Sequence, residues 1–205
     1  NWTAMSSTNP LRVLLYRTAN PYHITPFSQK APPLGLMTMA AYLRENSNFE
    51  LQLLDGAEGD GLDVLKQALE SFRPHVFGLS ALTANCYDGM VVASIVREVC
   101  PDSLIVAGGV HYAAVPEESL RVCTDFDMVA TGEGEATFLD LCQTVQAVGG
   151  RRATWRDDLR EVAGLVFLEG HGPAIDERGL GITDRPVHYT PARKLLSDLS
   201  VLPLP

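Results

Sequence analysis

No two cysteines in the sequence stand close enough to share a metal ion. Cys86, Cys100, Cys123 and Cys142 lie at wide intervals without CxxC or CxxxCxxC spacing. Neighbouring thiolates therefore cannot assemble a zinc site or an iron–sulfur cluster. Each falls among apolar residues, the setting of a small buried hydrophobe in a reducing compartment. Basic residues are scarce as well: 16 Lys and Arg against 25 Asp and Glu leave a net charge of -9 and a pI near 4.9. No cationic face remains to neutralise a row of phosphates, which sets nucleic acid aside as a partner. No apolar run approaches the roughly 18 residues that span a bilayer, and residues 1–9 lack the charged and apolar segments of a secretion signal. The expectation is a cytoplasmic protein with no membrane partner, in which residues 1–10 form a disordered leader or an expression remnant.

What is present is a regular alternation. With 46% apolar residues, the 205-residue chain has enough hydrophobic content for one ordinary core plus an appendage. Arg12–Tyr16, Glu50–Asp55, Val76–Ser80, Ser103–Ala107 and Met128–Thr131 are short, rich in branched residues and bounded by turn formers, so they read as strands. Between them Leu36, Met39, Ala40 and Leu43 recur at helical spacing, as do Leu62, Leu65, Leu69 and Phe72, and then Met90, Val91, Ile95 and Val99. A short helix is expected after Pro116, with Glu117 and Glu118 near its positive end. A last one is expected from about Ala136, stopped by Gly149 and Gly150.

Five βα rounds in residues 11–150 imply an α/β, flavodoxin-like, doubly wound five-stranded parallel sheet, a Rossmann-like arrangement whose ligands bind at the carboxyl ends of the strands. From Arg151 the pattern changes. Val162–Leu168 reads as a strand and Gly170–Pro173 as a turn, and the proline-bearing remainder reads as the rest of a C-terminal β-hairpin and an extended tail or linker over residues 151–205.

Two loops carry chemistry. The third strand ends in Ser80-Ala81-Leu82-Thr83 and the fourth in Gly108-Gly109-Val110-His111, with twenty-five residues between Leu82 and Gly108. A hydroxyl at a strand's carboxyl end can hydrogen-bond a buried heterocycle, and a Gly-Gly pair removes two Cβ atoms so that a flat group can slide along the backbone. The pair describes a slot. At this interval it resembles the SxL and GG signatures of cobalamin-binding domains, a family in which the dimethylbenzimidazole arm of the cofactor is withdrawn from cobalt and inserted beside those loops. The family's third signature, DxHxxG, supplies a histidine to cobalt. Here Lys30 stands in place of the aspartate and Pro32 in place of the histidine, and only Gly35 matches. Proline has no lone pair for a metal, and His23 is the one nearby substitute.

That departure, together with APPLGLMTMAAYLR (31–44), RPHVFGLS (73–80), GGVHYAAVPEE (108–118) and TGEGEAT (131–137), resembles the N-terminal cobalamin-binding domain of the cobalamin-dependent radical S-adenosylmethionine superfamily. The resemblance covers nearly the whole chain from Leu11. It implies base-off, His-off cobalamin, as methylcobalamin or hydroxocobalamin. Ser80, Leu82 and Thr83 would form one wall of the arm's slot and Gly108, Gly109, Val110 and His111 the other. Gly132, Glu133, Gly134 and Glu135 would lie at the nucleotide end, and Pro33, Leu34, Gly35 and Leu36 beneath the corrin. No catalytic residue and no protein ligand to cobalt is implied.

It also implies a radical S-adenosylmethionine partner domain, in cis or in trans, that carries the S-adenosylmethionine and the iron–sulfur cluster this chain cannot hold. Methyl transfer is the reaction such a pair would perform. A stand-alone cobalamin carrier or sensor is the alternative. A flavin-binding or phosphoacceptor domain on the same fold fits poorly. Thr18-Ala19-Asn20-Pro21-Tyr22 is a weak phosphate loop, and the paired acids of a receiver are missing after the first strand.

Overall fold

A computed structural model describes residues 10–19, 31–56, 61–149, 155–170 and 185–205. Five parallel strands form its centre: β1 (Arg12–Arg17), β2 (Glu50–Asp55), β3 (Val76–Ser80), β4 (Leu104–Gly108) and β5 (Met128–Ala130). A hairpin of β6 (Leu165–Leu168) and β7 (Val187–Tyr189) joins the same sheet antiparallel, giving the order β2-β1-β3-β4-β5-β6-β7. The parallel core expected from the sequence is thus continued by the C-terminal hairpin.

Both faces of the central strands are buried, which is why they read as continuous apolar runs. Leu11, Val13, Leu15, Val76, Val106 and Met128 face α1 (Leu34–Asn46) and α6 (Gly134–Ala147). Leu14, Tyr16, Phe77, Leu79, Ile105 and Ala107 face the other layer, formed by α2 (Gly61–Phe72), α3 (Cys86–Val99), α4 (Val110–Ala114) and α5 (Pro116–Val122). All four cysteines are buried and unpaired by disulfides. Among the described residues no helix is long and apolar enough to cross a membrane.

The differences from the sequence reading are local. The stretch after Gly109 winds into α4, where Tyr112 is fully buried, sets its ring edge-on to Phe126 and donates its hydroxyl to the Cys86 carbonyl at 2.5 Å. The strand expected from Val162 begins only at Leu165. Residues 159–161 form a 3-10 turn after the short helix α7 (Trp155–Asp158), and Gly164 takes a positive φ of 87°. Helix α6 starts at Gly134 and is followed by Gly149 at φ 80°; Gly150 and residues 171–173 of the turn expected over Gly170–Pro173 lie outside the described residues.

The amino ends of the strands are tied by polar groups. Asp127, nearly fully buried, accepts from Arg97 Nη2 at 2.8 Å and from the Ile105 amide at 2.9 Å. Arg97 also donates to the carbonyls of Pro101, Ser103 and Asp125. A buried carboxylate is tolerated only with such full pairing. His75, also buried, accepts the Arg12 amide on Nδ1 at 2.9 Å, and burial together with the Arg12 guanidinium lowers its pKa to about 4.

Since an unfolded histidine titrates near 6.5, the unfolded chain binds more protons than the folded one between about pH 6.5 and about 4. Stability from this group is complete above pH 6.5, falls by roughly 2–3 kcal/mol as the pH drops to about 4, and is flat below that. His75→Asn keeps an acceptor for the Arg12 amide and removes the titration. Urea midpoints measured from pH 7 to 4 should fall less in the variant; an identical loss in both proteins would refute the assignment.

Candidate functional site

Strands β1 and β3 are neighbours in the sheet, but the segments that follow them reach helices on opposite faces, so a crevice opens at their carboxyl ends. It is a cleft of about 290 Å³ on the α1–α6 face, at the small end of the range for ligand sites. Its floor consists of Leu15 on β1, Gly78 on β3 and Val106 on β4. One step further along each strand, Arg17, Ser80 and Gly108 form its inner edge. The period-2 alternation of strands puts each of these pairs on one face. Pro33, Leu34, Gly35, Leu36 and Met39 supply one wall from α1 and the segment before it. Gly132, Gly134, Glu135 and Phe138 supply the other from α6 and its lead-in.

The glycines do different work. A Cβ on Gly78 would lie 2.8 Å from both Leu15 Cδ2 and Phe138 Cζ, so its absence lets the buried Phe138 ring rest against the β3 backbone. A Cβ on Gly108 would meet only the Leu79 carbonyl oxygen, at 3.7 Å, so the space above this residue is open. Gly109 has a φ of 88°, and a Cβ there would come within 2.6 Å of the Ala81 oxygen and 2.9 Å of Ser80 Oγ. The two glycines therefore differ: space lies open at Gly108, while Gly109 lets the loops after β3 and β4 touch.

Of the residues singled out by sequence, Pro33, Leu34, Gly35, Leu36, Ser80, Gly108, Gly109, Gly132, Gly134 and Glu135 line this cleft. Leu82, Thr83, Val110, His111 and Glu133 do not. After Ser80 the chain turns toward the α3 face through the 3-10 turn Thr83–Asn85, leaving Thr83 exposed and Leu82 54% exposed at the rim. Val110 opens α4 and is 66% exposed, and the His111 ring packs edge-on against Tyr112 with 5.3 Å between centroids. The Glu133 carboxylate accepts the Leu196 amide at 2.7 Å, so it is turned to the C-terminal tail.

Sequence reasoning missed Leu15, Arg17, Met39, Gly78, Val106 and Phe138. A glycine inside the otherwise apolar β3, and an aromatic on the inward stripe of the last helix, were the available signals.

The rim is braced by polar contacts. Arg17 makes a two-pronged ion pair with Asp55, with Nε to Oδ1 at 2.6 Å, and donates Nη1 to the Ala31 carbonyl at 2.8 Å. The guanidinium thereby joins the ends of β1 and β2 to the segment entering α1. Buried Asn85 accepts the Leu82 amide at 2.7 Å and donates to the carbonyls of Thr18 and Ala19, which ties the loop after β3 to the loop after β1. Thr18 adds bonds to the Ser80 carbonyl from its amide and its hydroxyl, at 3.2 and 3.1 Å.

Among the described residues no group of three or more His, Cys, Asp or Glu side chains could hold a metal ion. Pro32 is exposed just before the cleft wall, His75, His111 and His188 do not line the cleft, and His23 and Lys30 lie outside the described residues. The lining is mostly carbon and glycine backbone, with the Ser80 hydroxyl, the Arg17 guanidinium and the Glu135 carboxylate as its polar side-chain groups, the mixed composition usual for a small-molecule site.

The sequence pattern of the B12 binding domain family matches residues 24–142. The chain is similar to the uncharacterized methyltransferase PH0819 of Pyrococcus horikoshii, 30% identical over 175 residues that make up 85% of this chain and 33% of that protein. It is similar to the anaerobic magnesium-protoporphyrin IX monomethyl ester cyclase of Rubrivivax gelatinosus, 27% identical over 145 residues, 70% of this chain and 25% of that one. The chain thus spans a quarter to a third of the length of these relatives. Its fold matches the solved cobalamin-dependent S-adenosylmethionine radical enzyme OxsB, with aqua-cobalamin and S-adenosylmethionine bound, at a TM-score of 0.65 and 20% identity, over 91% of this chain and 23% of that one. With more than half of its residues inside the matched pattern, the chain belongs to the B12-binding domain family.

Proposed function

We propose that this chain binds cobalamin base-off and His-off, as the cofactor domain of a radical S-adenosylmethionine methyltransferase whose catalytic barrel is carried outside these 205 residues. The observation that carries the reading is the open space over Gly108, bounded by the Phe138 ring and set at the strand ends of a B12-binding fold. The methyltransferase part draws on the named relatives, a methyltransferase among them. Bound there, the corrinoid would supply a cobalt centre able to hold a transferable methyl group.

The residues of the chain bind and orient. Leu15, Val106 and Phe138 would enclose the heteroaromatic arm, and aromatic stacking against Phe138 would add to the area it buries. The Ser80 hydroxyl, at the inner edge, would hydrogen-bond a ring nitrogen that has left water. Gly132, Gly134 and Glu135 would flank the nucleotide end. Leu34, 63% exposed, with the rim residues Leu82 and Val110, would give the corrin an apolar seat. Arg17 holds the PPLG segment in position through Ala31. A reducing cytoplasm suits the four free buried thiols.

The test is to mix the purified chain with hydroxocobalamin, desalt it and record the visible spectrum. Retained colour with base-off bands is expected, and loss of all corrinoid would remove the reading. Gly108→Val should weaken retention by about tenfold or more while leaving thermal stability close to that of the parent, because its branches would enter open space. Gly109→Ala should instead lower stability, as it places a Cβ against Ala81 at a positive φ. Unweakened retention by Gly108→Val would show that the space above that glycine is not where the arm lies.

A further inference from the structure

The four residues after Thr131 divide between two tasks. Gly132, Gly134 and Glu135 line the cleft, whereas Glu133 between them reaches outward and accepts the Leu196 amide at 2.7 Å. That bond is charge-assisted and is one of several holding the tail along α6. Arg193 pairs with Asp140 on the same helix and donates Nε to the Ala163 carbonyl at 3.4 Å. The Pro191 carbonyl accepts the Gly164 amide at 2.8 Å, and the Gly164 carbonyl accepts the Thr131 amide at 2.8 Å. The tail is therefore fastened at Pro191, Arg193 and Leu196, and the last of these fastenings is made by the loop that forms the cleft wall. Gly132 has a φ of 75°, and a Cβ there would meet nothing within 4 Å, so no neighbour packs against this point of the loop.

We infer that Glu133 is a positioning residue that couples occupancy of the cleft to the docking of residues 193–201. This rests on the cobalamin reading of the cleft. A ligand seated against Gly132 and Gly134 would hold the loop in the conformation that presents the Glu133 carboxylate to Leu196. The docked tail would in turn hold the cleft wall in the conformation that receives the ligand. Linkage makes the two effects equal in size. The chain leaving the domain would then be fixed beside the cofactor once the cofactor is present.

The experiment is amide hydrogen exchange of residues 193–201 in the purified chain, with and without saturating hydroxocobalamin, alongside the corrinoid dissociation constant. Hydroxocobalamin should slow exchange at Leu196 and its neighbours by roughly fivefold or more. Glu133→Ala should abolish that slowing and weaken corrinoid binding by a matching factor, and Glu133→Gln, which keeps an acceptor oxygen, should restore part of both. Arg193→Met loosens the tail without touching the cleft loop and should weaken binding in the same direction, which covers the case of an unfolded Glu133→Ala. Corrinoid retained with tail exchange unchanged, or retained equally tightly by the variants, overturns the coupling alone. No corrinoid retained by the parent chain overturns the reading of the cleft, and the coupling with it.

Discussion

The contact between the Phe138 ring and the backbone of Gly78 sets the geometry of the carboxyl end of this sheet. Helix α6 can approach β3 that closely only because no Cβ stands between them, and the ring then becomes a wall instead of a plug. Had β3 carried valine at this position, as its apolar neighbours would lead one to expect, the helix would be pushed outward and the crevice would lose one side. Gly108, on the same face in the adjacent strand and paired with Ser80 in register, leaves the complementary space empty. One glycine draws a helix in and the other keeps a gap open, and the cleft is the difference between them.

The two ends of the sheet are built from different interactions. At the amino ends Asp127 is buried against Arg97 and the Ile105 amide, and His75 against the Arg12 amide. Such groups are costly to leave unpaired, which makes that end intolerant of change. At the carboxyl ends the polar bonds run between loops and reinforce one another through Thr18, Asn85 and Arg17. They order the rim without filling the crevice. The cleft lies at the carboxyl end, where the chain order of a doubly wound sheet reverses.

The architecture was legible because it is written in periodicity. Every central strand was placed to within a residue or so, since runs buried on both faces carry a strong local signal. What escaped was whatever depends on a neighbour distant in sequence. Nothing in Gly109-Val110-His111-Tyr112 announces a helical turn, because α4 is held by the Tyr112 hydroxyl on Cys86 and by the Phe126 ring, both remote along the chain. The late start of β6 has the same origin, with Gly164 giving its amide to Pro191 and its carbonyl to Thr131. At the site, the cleft-lining glycines of the quoted motifs could be found by type. Phe138 and Leu15 look like ordinary core residues, and only the sheet reversal tells which core residues border a crevice.

The same reasoning explains why matching a motif is not the same as finding a contact. GEGE reads as a unit of four, yet Glu133 is the extended cap residue before α6 and its side chain leaves the cleft that Gly132, Gly134 and Glu135 line. Glu135, one turn position inside the helix, shares the cleft wall with Phe138, and Glu133, at the cap, looks away toward Leu196. A similar split separates Ser80 from Leu82 and Gly108 from Val110, because in each case the strand ends between the two residues and the alternation that aimed the first no longer governs the second. Ser80 and Gly108, the last residues of β3 and β4, line the crevice, whereas Leu82 and Val110, two residues further on, do not.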